Sequence, residues 1–329
     1  MMTARFFCLG FSFVCLAVAC AGIEDLNLWP VPKSVSHGSQ ILYMNNDFGL
    51  RFEGSNYTDA SGILKDGFSR FLDVVEAAHV IDNNSSHLDP SALLQGLNAV
   101  ISSSDDELQF GVDESYKLSI AATGSPRYVL LEAQTVYGAL HGLQTLSQLC
   151  HFNFITRMIE VHHVPCTIID EPRFFYRGLL IDTARHYQPL PMIKNVIDAM
   201  AYSKLNVLHW HIVDSQSFPL EIPSYPNLWN GAFSLSERYT MADAEEIVHY
   251  AQRRGINVLA EIDVPGHAFS WGTGYPSLWP SRDCPEPLDV SNEFTFKVID
   301  GILSDFKNVF KFRFVHLGGD EVNTSNFFA

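Results

Sequence analysis

Four apolar runs set the strongest limit on how this chain of 329 residues can fold: Tyr176 to Asp182, Asn206 to Asp214, Ile256 to Asp263 and Phe312 to Asp320. Each is nearly continuous in apolar or β-branched residues, and each ends on an aspartate. A strand with one wet face alternates apolar and polar side chains, so unbroken runs read as strands buried on both faces, as in parallel sheets. Amphipathic segments of helical length lie between them, at Pro191 to Lys204, Ala242 to Arg254 and Asn292 to Val309. The first opens with proline and the second closes with Gly255 after Arg253 and Arg254, which is helix-start and helix-stop chemistry. Such alternation predicts an open doubly wound sheet or a (β/α)8 barrel. No Gly-x-Gly-x-x-Gly turn follows the first run, which disfavours a dinucleotide fold and leaves the barrel. A TIM barrel takes about 250 residues and eight units, whereas residues 171–329 supply four, so half a barrel is expected.

Upstream of the punctuation Glu171-Pro172-Arg173 the texture differs. Short alternating stretches such as Gln40 to Tyr43 and Tyr128 to Glu132 mix with helical patterns around Gly62 to His79 and Thr135 to Leu149. In the last of these, Val136, Leu140, Leu143, Leu146 and Leu149 fall at intervals of three and four on one face, the signature of core packing. The expected organisation is therefore α/β: a smaller α+β domain over residues 22–170, then the first half of a (β/α)8 barrel over 171–329.

Residues 1–21 read as a cleaved secretory signal, with Arg5, an apolar run from Phe6 to Ala19 and the small-x-small site Ala19-Cys20-Ala21. The run is barely long enough for a membrane anchor and Glu24 and Asp25 follow at once, so no membrane association is expected after cleavage. The formal charge of −16 excludes a nucleic-acid partner and suits a soluble protein of an acidic compartment. Sequons at Asn56, Asn83, Asn84 and Asn323 acquire meaning only in the secretory pathway, where an extracellular, cell-wall or vacuolar destination is expected. Cys8, Cys15 and Cys20 leave with the signal; Cys150, Cys166 and Cys284 remain, an odd number for an oxidising compartment.

Reacting groups of barrel enzymes sit at the carboxyl ends of strands. Here those ends carry Asp182 with Arg185, Asp214, Asp263 with His267, and Asp320 with Glu321. Capping of the following helices explains one such aspartate well but four in succession poorly. In His316-Leu317-Gly318-Gly319-Asp320-Glu321, regular pleating would send the two carboxyls to opposite faces, and Gly318-Gly319 can break the pleat so that both reach one pocket. Adjacent carboxyls in a cleft titrate as a pair with one held protonated, which suits the general acid of glycoside hydrolysis. His209 and His211 share a strand face, and His162-His163 adds two imidazoles, but no motif supplies further ligands. No metal site and no cofactor are expected. Trp210 and Trp271 read as core.

The successive motifs Arg177 to Tyr187 (RGLLIDTARHY), Val207 to Asp214 (VLHWHIVD), Asp263-Val264-Pro265-Gly266-His267 and His316 to Glu321 resemble, in order and spacing, those of family 20 β-N-acetylhexosaminidases. Gln216 to Pro226, Gly255 to Trp271 and Leu28-Trp29-Pro30-Val31-Pro32 are most similar to plant members, and the resemblance covers residues 28 to 324. It implies hydrolysis of terminal non-reducing N-acetylhexosamine residues from glycans or oligosaccharides, with the substrate's own acetamido group as nucleophile, an exception to the two-carboxylate scheme. Carried over position by position, Glu321 is the acid and base, Asp320 orients the acetamido group, Arg185 grips the sugar hydroxyls, and Asp214 with His267 tunes the acid from behind. A plain ion pair for Arg185, and a helix cap beside a packed histidine for Asp214 and His267, are the bland alternatives.

The family continues past the Asp-Glu pair with a cysteine, expected near Asn326 of this chain, and with four more strands that enclose the sugar. The resemblance implies that this cysteine would pair with the one matched by Cys284, and its absence is expected to account for the odd thiol count. A half barrel with open edges is expected to self-associate, a homodimer being the simplest form. The alternative expectation is a truncated, weak or inactive product that binds sugar or regulates.

Overall fold

The structure is a computed structural model in which residues 26–77, 79, 81, 89–124 and 127–322 are described. The expected signal, the sequons at Asn83, Asn84 and Asn323, and Asn326 lie outside them. The remaining sequon residue, Asn56, is exposed, with its Nδ2 donating to Ser102 O (2.9 Å).

The first part is a six-stranded sheet backed by two helices: β1 (Ser34–Arg51), α1 (Ile63–Glu76), β2 (Leu93–Ile101), β3 (Tyr116–Ile120), β4 (Arg127–Ala133), α2 (Val136–Leu149), β5 (Cys150–Asn153) and β6 (Met158–Asp170). Strand order is β1-β2-β4-β3-β6-β5. The long β1 serves two neighbours, pairing antiparallel with β6 through Ser34 to Tyr43 and parallel with β2 through Tyr43 to Arg51. Helix α2 starts where expected because Thr135 Oγ1 accepts from the amides of Tyr137 and Gly138. Its apolar side, including Val136, Leu143, Leu146 and Leu149, lies in the core between sheet and α1.

The second part begins at β7 (Gly178–Asp182) and continues through α3 (Leu190–Tyr202), β8 (Val207–Val213), α4 (Met241–Gln252), β9 (Asn257–Ile262), the short α5 (Phe269–Gly274) and α6 (Glu293–Val309). Strands β7, β8 and β9 form a parallel sheet in chain order, and six of the seven residues of β8 and all of β9 are buried. Continuous apolar runs become two-faced strands here because helices cover one face while barrel-interior side chains fill the other. Helix α4 opens with a reciprocal capping box between Thr240 and Asp243, and α6 buries Thr295, Val298, Ile302, Phe306 and Val309 along one stripe.

The fourth run departs from expectation. In place of a strand over Phe312 to Asp320 it makes one parallel bridge, His316 beside Glu261, held by His316 N to Ala260 O (2.9 Å), Ile262 N to His316 O (3.1 Å) and Val264 N to Leu317 O (3.0 Å). Phe314, Val315 and Leu317 are exposed, as are Leu179 and Leu180 on β7, so both flanks of the short parallel sheet are open among the described residues. No helix among the described residues is long and apolar enough to cross a membrane.

The two parts meet through a buried polar seam. Lys204 Nζ donates to Asp170 Oδ2 (3.0 Å), Tyr116 Oη (3.0 Å) and Thr145 Oγ1 (2.9 Å). Beside it Glu114 accepts from Arg177 Nη2 (2.6 Å), Arg177 Nη1 (3.1 Å) and Asn206 Nδ2 (3.2 Å), and pairs with His141 Nε2 (2.9 Å). Arg177 and Asn206 flank β7 and β8, so the first sheet grips the lower ends of the strands whose upper ends carry the site. Removing one member leaves its partners charged or polar, buried and unmatched. Glu114→Ala should therefore lower the unfolding free energy in urea by about 3 kcal/mol; a loss under about 1 kcal/mol would show that the seam contributes no more than a surface pair.

Candidate active site

The upper ends of β7, β8 and β9 and the turn after His316 bring five sequence-predicted residues together: Arg185, Asp214, His267, Asp320 and Glu321. Asp182 closes β7 and folds the chain back on itself, its Oδ1 accepting from the amides of Ala184 (3.0 Å) and Arg185 (2.9 Å) and its Oδ2 pairing with Arg185 Nη1 (2.8 Å). Arg185 Nη2 reaches Asp214 Oδ2 at 2.9 Å. The ion pair named as the bland alternative thus exists, and it fixes a guanidinium whose side chain is still 38% exposed.

Asp214 follows β8 and is fully buried. Besides Arg185 it meets His211 Nε2 (2.7 Å), His267 Nδ1 (3.2 Å) and the amide of Ser215 (2.7 Å). Burial alone would raise its pKa, but the bonds from His211 and Ser215 and the charges of Arg185 and His267 outweigh burial and hold the carboxyl below the ordinary range.

His267 sits at φ 54° after the turn Val264-Pro265-Gly266. Its pKa is raised: burial opposes the charge, yet Asp214, Asp263 and Asp320 together favour it more. Nε2 is sealed from solvent, has no hydrogen-bond partner among the described residues and stands 3.5 Å from Glu321 Oε2. Asp214, His267 and Glu321 therefore form a line of carboxylate, imidazole and carboxyl.

The Gly318-Gly319 turn does what pleating could not. Both glycines adopt positive φ (62° and 99°), and a Cβ on Gly318 would lie 1.8 Å from Asp263 Oδ1. The Gly319 amide donates to that same oxygen (2.9 Å), so only glycine lets the chain lie across Asp263 and turn Asp320 and Glu321 toward one region. The buried pair expected for these carboxyls is not what the described residues show: Asp320 and Glu321 are exposed, the Glu321 side chain at 77%. The turn lifts them above the strand end, and no described residue covers them there. Asp263 below is buried, and burial together with the charges of Asp320 and Glu261 raises its pKa against the bond from the Gly319 amide and the charge of His267.

Arg185, Gln216, Gly266, His267 and Glu321 line a cavity of about 410 Å³, and Ser215 with Glu286-Pro287 completes its wall. Sequence reasoning passed over Ser215, Gln216 and Glu286; the last lies between prolines in a segment without periodicity. It also passed over Glu261, inside β9, which gathers His209 Nε2, His211 Nδ1 (3.1 Å) and His316 Nδ1 (2.9 Å). Among the described residues three groups converge closely enough to share a cation: His209, Glu261 and His316; His211, Asp214 and Asp263; and Asp263, His267 and Asp320. Most of their carboxylates are matched by imidazole, guanidinium or amide donors, which accounts for the convergence. His162 and His163 lie on β6 of the other sheet, His162 with Glu160 (2.8 Å). Trp210 and Trp271 are core, as expected.

A short parallel β/α series with acidic and imidazole groups at its upper ends has the layout of the catalytic face of a β/α barrel. Comparison with known proteins sharpens this. The family described as Glycosyl hydrolase family 20, catalytic domain, matches residues 174–329, and one described as beta-acetyl hexosaminidase like matches residues 28–149. Beta-hexosaminidase 3 of Arabidopsis thaliana is 69% identical over 305 residues, 92% of this chain and 57% of that protein. Beta-hexosaminidase subunit beta of Mus musculus is 35% identical over 325 residues, 94% of this chain and 59% of that protein. The solved chitobiase of Flavobacterium johnsoniae superposes with a TM-score of 0.75 at 30% identity, covering 92% of this chain and 46% of that one. The chain belongs to glycosyl hydrolase family 20. Its second part is accordingly the leading portion of a TIM-barrel-type catalytic domain, preceded by a smaller α+β part. It spans a little over half the length of the curated relatives it matches.

Between Asp214 and Glu261, His211 has its pKa pushed up to about 10, since hydrogen bonds to both carboxylates and the charges of Glu261 and Asp182 overcome a burial that works the other way. A raised folded-state pKa gives stability that is complete below the unfolded value of 6.5 and lost as pH rises through about 10. The stability gap between the chain and His211→Gln, measured by urea unfolding, should be largest near pH 6.5 and shrink toward pH 10. A gap independent of pH over that window would contradict a charged imidazole.

Proposed function

We propose that this site performs the acid-base step of a retaining β-N-acetylhexosaminidase. One observation carries the reading: Glu321 faces the sealed Nε2 of His267, which is backed by buried Asp214, while Arg185 is fixed by the same Asp214 on the wall of the same cavity. Proton donor and sugar clamp are thus tied to one carboxylate, so a sugar held by Arg185 is placed relative to Glu321.

The chemistry follows in two steps. The acetamido oxygen of the bound sugar attacks C1 as Glu321 gives its proton to the glycosidic oxygen, breaking the C1–O bond and releasing the aglycone. Asp320 accepts the acetamido N–H and balances the positive charge that develops on the oxazolinium ring. Glu321, now a carboxylate, takes a proton from water, whose oxygen adds to C1 and reopens the ring with overall retention. Arg185, with donors in a planar fork, holds ring hydroxyls throughout. His267, biased toward its charged form, steadies the Glu321 carboxylate after the first transfer.

The exposure of Glu321 favours a second reading, a sugar-binding protein of slow or absent turnover, because transition-state charge is stabilised best where water is excluded. Release of 4-nitrophenol from its N-acetyl-β-glucosaminide separates the two. The hydrolase reading expects turnover in the acidic range that falls about 10²-fold or more in Glu321→Gln. Soluble, folded chain without turnover would contradict it and leave the binding protein.

A further inference from the structure

The roles above leave one charged group of the cavity unused. Glu286 lies in the segment between α5 and α6 and is pinned there from several directions. Its Oε1 accepts from the amide of Phe269 (2.7 Å) and from Ser215 Oγ, its carbonyl receives Cys284 Sγ (3.3 Å), and two residues on Leu288 N donates to Pro265 O (2.8 Å). Ser215 is bonded in turn through its amide to Asp214. Glu286 is therefore coupled through two side chains to the group that positions Arg185 and His267.

A helix cap is the plain account of this carboxylate, and it covers only one oxygen. Both side-chain bonds fall on Oε1, and Oε2 has no hydrogen bond among the described residues although the side chain lines the cavity. Serine or asparagine would cap Phe269 as well without bringing a second carboxyl to a cavity already lined by Glu321. What the extra charge adds is a fixed acceptor with spare capacity. It disfavours anionic ligands and suits donors, of which sugars carry many. The hydroxyls of the transferred sugar fall to Arg185 and its acetamido group to Asp320, so the donors left for Glu286 are those of the departing sugar, beyond the oxygen that Glu321 protonates.

We propose that Glu286 is a specificity-determining residue, its free oxygen accepting a hydrogen bond from the leaving sugar so that the site selects oligosaccharide over monosaccharide or aryl ligands. The inference rests on the hydrolase reading of the cavity. Its test uses binding rather than turnover: the full chain carrying Glu321→Gln, which blocks hydrolysis, is titrated with N-acetylglucosamine and with N,N′-diacetylchitobiose, with and without Glu286→Ala. The preference for disaccharide over monosaccharide should fall about tenfold in the alanine variant, as expected for loss of a charged hydrogen bond. Glu286→Gln keeps an oxygen for Phe269 and Ser215 but puts an NH2 donor in place of the free acceptor; it should lower the ratio in the same direction, and it carries the test if the alanine variant does not fold. A purely structural role would weaken both sugars alike and leave the ratio unmoved, which would overturn the proposal while sparing the hydrolase reading. Failure of both sugars to bind the parent chain would overturn both readings.

Discussion

The site depends on a single buried carboxylate. Asp214 has no solvent of its own and is tolerated only because Arg185, His211, His267 and the Ser215 amide surround it. An unpaired charge in that position would be costly, so the carboxylate and its cations fix one another. Through Arg185 it reaches the first β/α turn, through His211 the interior of β8, and through His267 the third turn and Glu321. Three loops distant in sequence are thereby held in one arrangement before any ligand arrives, which is the preorganisation that electrostatic catalysis needs.

A second constraint works from below. The seam built on Glu114 and Lys204 ties the first sheet to the roots of β7 and β8. A parallel sheet of three strands with an open flank has few contacts of its own, and the α+β part supplies a rigid support for it. The sealed polar groups of the seam fix the orientation of the two parts more sharply than apolar packing would, since sliding by one residue would unmatch them all.

What could be read in the sequence follows from the range of the interactions involved. Strands β7, β8 and β9 were legible because two-faced burial leaves an unbroken apolar run, and α2, α4 and α6 because capping residues and helical periodicity are local. The glycine pair before Asp320 was legible too, since only a positive φ could turn both neighbouring carboxyls one way. The fourth strand was overextended: its pattern is apolar throughout, but only His316 and Leu317 bond to β9 before the chain turns up at Gly318. The convergence of Arg185, Asp214, His267 and Glu321 came from resemblance to a family, and the distances that give it meaning are set by strand register. Glu261 was invisible as the hub for His209, His211 and His316, because a carboxylate within a strand looks like any polar residue until its neighbours are known. Likewise the adjacency of His162 and His163 told nothing of which sheet they join.

The most direct test of Asp214 as the common organiser is the titration of the histidine side chains by nitrogen-resolved NMR in the chain and in Asp214→Asn, which keeps shape and removes charge. If one carboxylate holds both imidazoles, the pKa values of His211 and His267 fall together in the variant. If either histidine titrates as before, the two are held by separate interactions and the account of a single organising charge is wrong.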